Sequence, residues 1–199
     1  MTSPFTDPRD GKTYKTVTIG KQIWLAENLN YEAEGSKFYN DDPANGEKYG
    51  RLYDWETAMK VCPPGWHLPS HEEWQELVDF VGGNHIALEK LKATNGWKYD
   101  KNSTDEYGFS ALPGGNGYSG GSFDDAGSIG YWWSSSEDGS DRAYNQYMGY
   151  DYDYCGAWYR SYLKNYLLSV RCVKDLFNGI ISNLNSCDNL LTYLYITPI

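Results

Sequence analysis

The sequence predicts an α+β domain: a hairpin, two helices, long loops and then antiparallel strands. Three observations carry that expectation. Lys12 to Ile19 alternates Tyr14, Thr16 and Thr18 against Thr13, Lys15, Val17 and Ile19, which is strand chemistry. Ser70 is followed three residues later by Glu73, the capping box that opens a helix. From Tyr131 onward, aromatic and alternating segments separated by Gly, Ser and Asp read as strands.

Composition agrees and excludes several functions. With 199 residues the chain fits one domain. Aromatics at 17% and 21 glycines favour a loop-rich, mixed or β-rich domain over a helical bundle. A net charge of −10 argues against a nucleic-acid partner or an anionic membrane surface, because nothing would neutralise phosphates in bulk. No apolar run approaches the roughly 20 residues of a transmembrane segment. The N-terminus lacks the basic and apolar regions of a secretory signal, so the protein is expected to be cytoplasmic unless a signal has been removed. The cysteines at 62, 155, 172 and 187 form no CxxC pair, which argues against a zinc cage.

In chain order, residues 1–9 read as disordered, and Gly20-Lys21 turns the first strand into Gln22 to Leu25. Residues 31–50 read as a long surface loop. Tyr53 to Cys62 has helical spacing and is stopped by Pro63-Pro64-Gly65. Ser70 to Val81 places Trp74, Leu77, Val78 and Val81 on one stripe, ended by Gly82-Gly83. His85 to Ala93 reads as a short helix and residues 95–130 as irregular. Strands are expected at Tyr131–Ser135, Ala143–Tyr150, about Gly156–Tyr159 and Leu167–Val173. Residues 176–199 form an apolar, Asn-rich tail of different character.

The stretch from Tyr131 to Val173 stands out chemically. Between Tyr131-Trp132-Trp133 and the last strand it packs tyrosines among Asp, Gly, Asn and Trp158. Tyr and Trp give large contact area at low entropy cost, and Gly, Ser and Asn give adaptable polar contacts. The expected ligand-binding residues are Tyr144, Asn145, Tyr147, Tyr150, Asp151, Tyr152, Asp153, Tyr154, Trp158, Tyr159, Arg160, Tyr162 and Asn165. Trp24, Trp66, Phe109, Trp132 and Trp133 read as core. His67 reads as a turn histidine bonding backbone. Asp124, Asp125, Glu137, Asp138 and Asp141 read as a solvated acidic loop, calcium being the one cofactor they admit. No catalytic set emerges from spacing.

Five segments, DGKTYKTVTIGKQIWLAENLNY, KYGRLYDWETAMKVCPPGWHLPSHEEWQEL, YGFSALPGG, YWWSSSE and LSVRCVKD, taken in this order, resemble the Fibrobacter succinogenes major paralogous domain from about Asp10 to Asp175. The resemblance implies a C-type-lectin-like fold with two helices, antiparallel sheets and loops presenting a variable surface, shared with formylglycine-generating enzymes. It implies a secreted or surface-attached, often lipoprotein, bacterial module that binds a protein or glycan, and the chain is expected to be monomeric. Some similar domains are variable proteins of diversity-generating retroelements, in which Asn codons altered at adenines yield Tyr, Asp, Ser, Cys and Gly. Those residues crowd positions 144–166. By analogy with lectin-like domains Cys62 and Cys172 form a disulfide worth about 4 kcal/mol, the alternative being two buried thiols. Cys155 and Cys187 read as unpaired. The EPN, QPD and WND motifs of calcium-dependent sugar binders are absent. Three departures stand out. There is no signal or lipobox, no cysteine pair before KYGRLY (Phe38-Tyr39 and Asn45-Gly46 stand there), and the tail at 176–199 is additional. Two rival readings are a formylglycine-generating-type enzyme using Cys155 and Cys172, and a structural cell-envelope domain.

Overall fold

The computed structural model describes residues 3–98, 102–149 and 160–175. Its strands are β1 (Phe5–Thr6), β2 (Thr13–Tyr14), β3 (Thr16–Ile19), β4 (Gln22–Leu25), β5 (Leu52–Tyr53), β6 (Trp66–His67) and β7 (Asn116–Gly117), followed by β8 (Phe123–Asp124), β9 (Ile129–Glu137), β10 (Arg142–Gly149), β11 (Arg160–Leu163), β12 (Leu168–Ser169) and β13 (Val173–Lys174). The helices are α1 (Pro43–Tyr49), α2 (Trp55–Val61), α3 (His71–Val81) and α4 (Asn84–Leu91). The class is α+β. No helix among the described residues is long and apolar enough to cross a membrane.

Two sheets carry the domain, with strand orders β11-β10-β9-β12-β5 and β3-β4-β13-β6. The single strand expected over Leu167–Val173 is instead two, one in the interior of each sheet. Ser169 pairs in parallel with Trp132 of β9, and Val173 pairs with Trp24 of β4 and His67 of β6. Between them the backbone is held by Leu29, outside both sheets, and by the last residue of β4. Val170 O accepts from Leu29 N at 2.8 Å, and Cys172 O accepts from Leu25 N at 3.0 Å. Alternating hydrophobicity is the same for one long strand and for two short strands that change sheets, so the pattern alone does not reveal the break.

The helices start where their caps demand. Asp54 accepts from Thr57 N at 2.8 Å and opens α2, which buries Trp55, Ala58 and Val61. At α3, Ser70 Oγ accepts from Glu73 N while Glu73 Oε2 accepts from Ser70 N, the reciprocal box the sequence predicts. The helix ends at Gly82, whose φ of 116° suits only glycine. Helix α1 lies inside the expected 31–50 loop. Its signals are Asp42, which accepts from Ala44 N at 2.9 Å, and Pro43 in the first turn, where a missing N–H costs nothing. The N-terminal stretch expected to be disordered also carries structure. Phe5 and Thr6 pair with Tyr14 and Thr13, and buried Asp7 accepts from Arg9 Nη2 at 2.7 Å. Within residues 95–130, β7 and β8 pair as a small hairpin. The strand expected over Gly156–Tyr159 lies outside the described residues, as does the 176–199 tail.

The expected core tryptophans are buried, and the indole N–H groups of Trp24, Trp132 and Trp133 find acceptors. Trp132 donates to Asn28 Oδ1 and Trp133 to Tyr53 O, both at 2.8 Å. Trp24 and Trp74 stack at 4.7 Å, and Phe109 meets the edge of Trp24 at 5.7 Å. Arg171 is also fully buried at this point, with its guanidinium 4.4 Å from the Phe109 ring centre. It donates to Phe109 O, to Asn28 Oδ1 at 2.8 Å and to Ser110 O at 3.4 Å, and among the described residues it faces no carboxylate at ion-pair distance. Cys62, at the end of α2, and Cys172 form a disulfide.

His67 does not bond backbone as expected. Its ring nitrogens lie 2.8 Å from Glu73 Oε1 and 2.6 Å from Asp175 Oδ1, so it ties β6 to α3 and to the end of β13. The bond to Glu73, and then that to Asp175, raises the His67 pKa above 6.5 against the opposing effect of burial. Burial pushes Glu73 up, but the bonds from His67 and Ser70 outweigh it and hold Glu73 below 4.5. The His67 contribution is full below pH 6.5 and fades as pH rises through the higher native value, whereas the Glu73 contribution is full above pH 4.5 and fades below it. Stability from this trio is therefore greatest between those limits. Urea midpoints from pH 6 to 9 should fall for the native sequence and stay flatter in His67→Gln. Equal slopes in the two proteins would remove His67 as the cause.

Candidate functional site

Strand β10 divides the candidate residues by alternation. Ala143, Asn145 and Tyr147 face one side of the sheet, and Tyr144, Gln146 and Met148 the other, toward α3. Register then collects neighbours on the first side. Asn145 lies opposite Arg160, Ala143 opposite Tyr162, and Tyr147 opposite Tyr131 of β9. One sheet face thereby brings together Asn145, Tyr147, Arg160 and Tyr162. It does not include Tyr144, which stacks 5.4 Å from His71, or Asn165, which is exposed in the turn after β11. Tyr150, Asp151, Tyr152, Asp153, Tyr154, Trp158 and Tyr159 lie outside the described residues.

On this face the rings form a continuous ladder. Tyr118 meets Tyr166 at 5.0 Å, Tyr166 meets Tyr162 at 5.4 Å, Tyr162 meets Tyr131 at 5.6 Å, and Tyr131 meets Tyr147 at 6.3 Å. The exposed Arg160 guanidinium sits 4.8 Å above the Tyr147 ring, a cation–π contact. Two residues expected as exposed contacts are in fact buried, Tyr147 and Asn145 at 3% exposure each. They form the base of the face because β9 and β11 cover β10 on both edges. Asn145 Nδ2 donates to Arg160 O at 2.8 Å and orients that strand, while its Oδ1 is buried without a partner among the described residues. Tyr162, Tyr166 and Tyr118 are partly exposed.

The hydroxyls are organised as well. Tyr131 donates to Asp125 Oδ2 at 2.8 Å, and Tyr118 donates to Asp124 Oδ2 at 3.2 Å. Burial, with Tyr162 and Asp125 adding to it, drives the Tyr131 pKa upward, so this phenol stays protonated and donating. Burial opposes the charge of Arg160, but its hydrogen bond to Tyr162 and the neighbouring phenols raise its pKa, so it is a fixed cation. Such a face offers aromatic surface, phenolic donors and one cation. Sequence reasoning reached Tyr166 as the end of the candidate stretch but did not assign Tyr118, Tyr131, Asp124 or Asp125 to this face. The signal for Tyr131 is its pairing opposite Tyr147, which requires knowing that β9 and β10 are neighbours in that register.

Three of the five acidic residues considered for calcium are engaged with protein groups. Asp124 and Asp125 accept from tyrosines, and Glu137 pairs with Lys164 at 3.2 Å. Among the described residues no three His, Cys, Asp or Glu side chains cluster as a metal site would require. Cys172, one of the two thiols of the enzymatic reading, is bonded to Cys62, and Cys155 and Cys187 lie outside the described residues.

Among known proteins, the family model described as the Fibrobacter succinogenes major domain matches residues 17–174, which is most of the chain. No curated protein and no solved structure matches it.

Proposed function

The chain belongs to the Fibrobacter succinogenes major domain family, and from that premise we propose that it is a non-enzymatic binding module whose tyrosine face contacts a protein or glycan. The observation that carries this reading is the Tyr118–Tyr166–Tyr162–Tyr131–Tyr147 ladder with Arg160 above it. Tyrosine and arginine are the residue types that dominate binding energy when clustered, because they combine apolar area with a polar end. An acidic chain favours neutral or basic ligands.

The same premise supports three finer elements of the proposal: a C-type-lectin-like arrangement, display at the bacterial surface or secretion, and retroelement diversification of the 144–166 region. Family membership and the Cys62–Cys172 disulfide are compatible with an extracytoplasmic location. Diversification predicts a nearby reverse transcriptase and a template repeat of the 143–173 coding region that differs only at adenines.

For binding, the test is an array of glycans and surface proteins. Tyr162→Ala and Tyr166→Ala, which remove half-exposed rings, should each lower affinity about thirtyfold, the effect of an anchor worth about 2 kcal/mol. Hits that persist at full strength in the double variant would place the recognition surface elsewhere.

A further inference from the structure

A second concavity shares no residue with the tyrosine face. It is a pocket of about 510 Å³ between the β2–β3 segment, α1 and residues 93–112, a volume within the range of small-ligand sites. Its walls are preformed. Asn28 Nδ2 donates to Tyr49 O at 2.9 Å, Asn30 Nδ2 donates to Gly46 O at 3.1 Å, and Arg51 N donates to Leu29 O at 3.1 Å, which fixes the end of α1 against residues 28–30. Gly50 permits this approach: its φ is 76°, and a Cβ there would meet Leu29 O at 2.8 Å.

The lining selects against three ligand classes. Lys12, Lys15 and Lys48 are matched by Glu27, Glu47 and Asp105, so neither an anion nor a cation gains from the summed charge. Little apolar surface faces the pocket: Tyr14, Ala26, Tyr49 and Ala93 are buried, leaving Leu112, so a greasy ligand gains little. Several polar groups are already used. Asp105 accepts from Ser110 N and Oγ at 2.8 and 2.6 Å, and Lys12 Nζ is bonded to Asn30 O. The groups left over are of both kinds. Lys15 and Lys48 carry no ion pair among the described residues, Glu47, Thr94 and Asn95 are exposed, and Glu27 uses Oε2 alone, on Lys15 N at 2.6 Å. Asn30 Oδ1 is buried with no partner among the described residues. A neutral ligand bearing several hydroxyls answers this pattern, since each hydroxyl both accepts from an ammonium and donates to a carboxylate or amide oxygen.

We infer that this pocket is a separate binding site for a neutral saccharide unit, held by Lys15, Lys48, Glu27, Glu47 and Asn95. The experiment is a titration of the ¹⁵N-labelled protein with glucose, galactose, mannose and N-acetylglucosamine, alongside glucuronate and L-lysine. The expected result is saturable shifts at Asn30, Lys48 and Asn95 with a neutral sugar. Lys15→Ala combined with Lys48→Ala should weaken that sugar at least tenfold, and Tyr162→Ala with Tyr166→Ala should leave it unchanged. Both pairs alter surface side chains, and overlaid spectra report that each variant is folded. Saturation by glucuronate or L-lysine but no neutral sugar would overturn the assignment. So would unchanged sugar affinity in the double lysine variant, or the absence of saturable binding by any neutral sugar.

Discussion

Replacing Cys62 and Cys172 together with alanine is expected to lower the free energy of unfolding by about 4 to 5 kcal/mol. The two residues are 110 apart in sequence, so the bond closes a very long loop and restricts the unfolded chain accordingly. The junction it secures matters for the native state too, because Cys172 lies in the run between β12 and β13 that both sheets need. Denaturation of the oxidised, reduced and double-alanine proteins measures the effect. Reduction leaves side-chain volume intact, whereas Cys172→Ala adds a small void at a fully buried position, so the reduced protein isolates the cross-link. A loss below about 1 kcal/mol on reduction would mean that other contacts already restrict the unfolded chain.

Arg171→Ala is expected to destabilise by about 3 kcal/mol, and Arg171→Met by less than half as much. Alanine leaves the carbonyls of Phe109 and Ser110 without their donor and opens a cavity between the Phe109 and Trp132 rings. Methionine also loses the donors but refills the space and removes a charge that no carboxylate among the described residues neutralises at ion-pair distance. Burial pushes Arg171 down to about 9, so the native state carries a cost for that charge at neutral pH. Asn28 Oδ1 is protected in both variants because Trp132 Nε1 continues to donate to it. Paired urea titrations decide the matter. A methionine variant as unstable as the alanine variant would show that the hydrogen bonds outweigh the packing and the charge.

Much of the domain is legible in the sequence because local chemistry is decisive there. The hairpin of β3 and β4, the caps of α2 and α3, and the burial of five aromatic residues all follow from short patterns. What escapes is non-local. Two short strands replace Leu167–Val173 because alternation says which side chains are inside, not which partner strand receives them. Helix α1 carries a good cap at Asp42, but its body, PANGEKY, contains a proline and a glycine and shows no apolar stripe. The tyrosine face is legible as chemistry and not as geometry. Composition marks Asn145, Tyr147, Arg160 and Tyr162; burial shows that two of them are the base, strand register brings Tyr131 beside Tyr147, and ring contacts show that Tyr118 and Tyr166 complete the row.

The placement of β12 and β13 inside two different sheets also sets a schedule for synthesis. While the ribosome is still short of residue 168, β9 has no neighbour on one side and β5 no partner strand in its sheet, and β4 and β6 are separated by an empty lane. The first sheet cannot close until the chain has been made through Ser169, and the second until Lys174. Nearly the whole domain must therefore be translated before both sheets can lock, whereas the β3–β4 and β9–β10 hairpins need only residues made earlier.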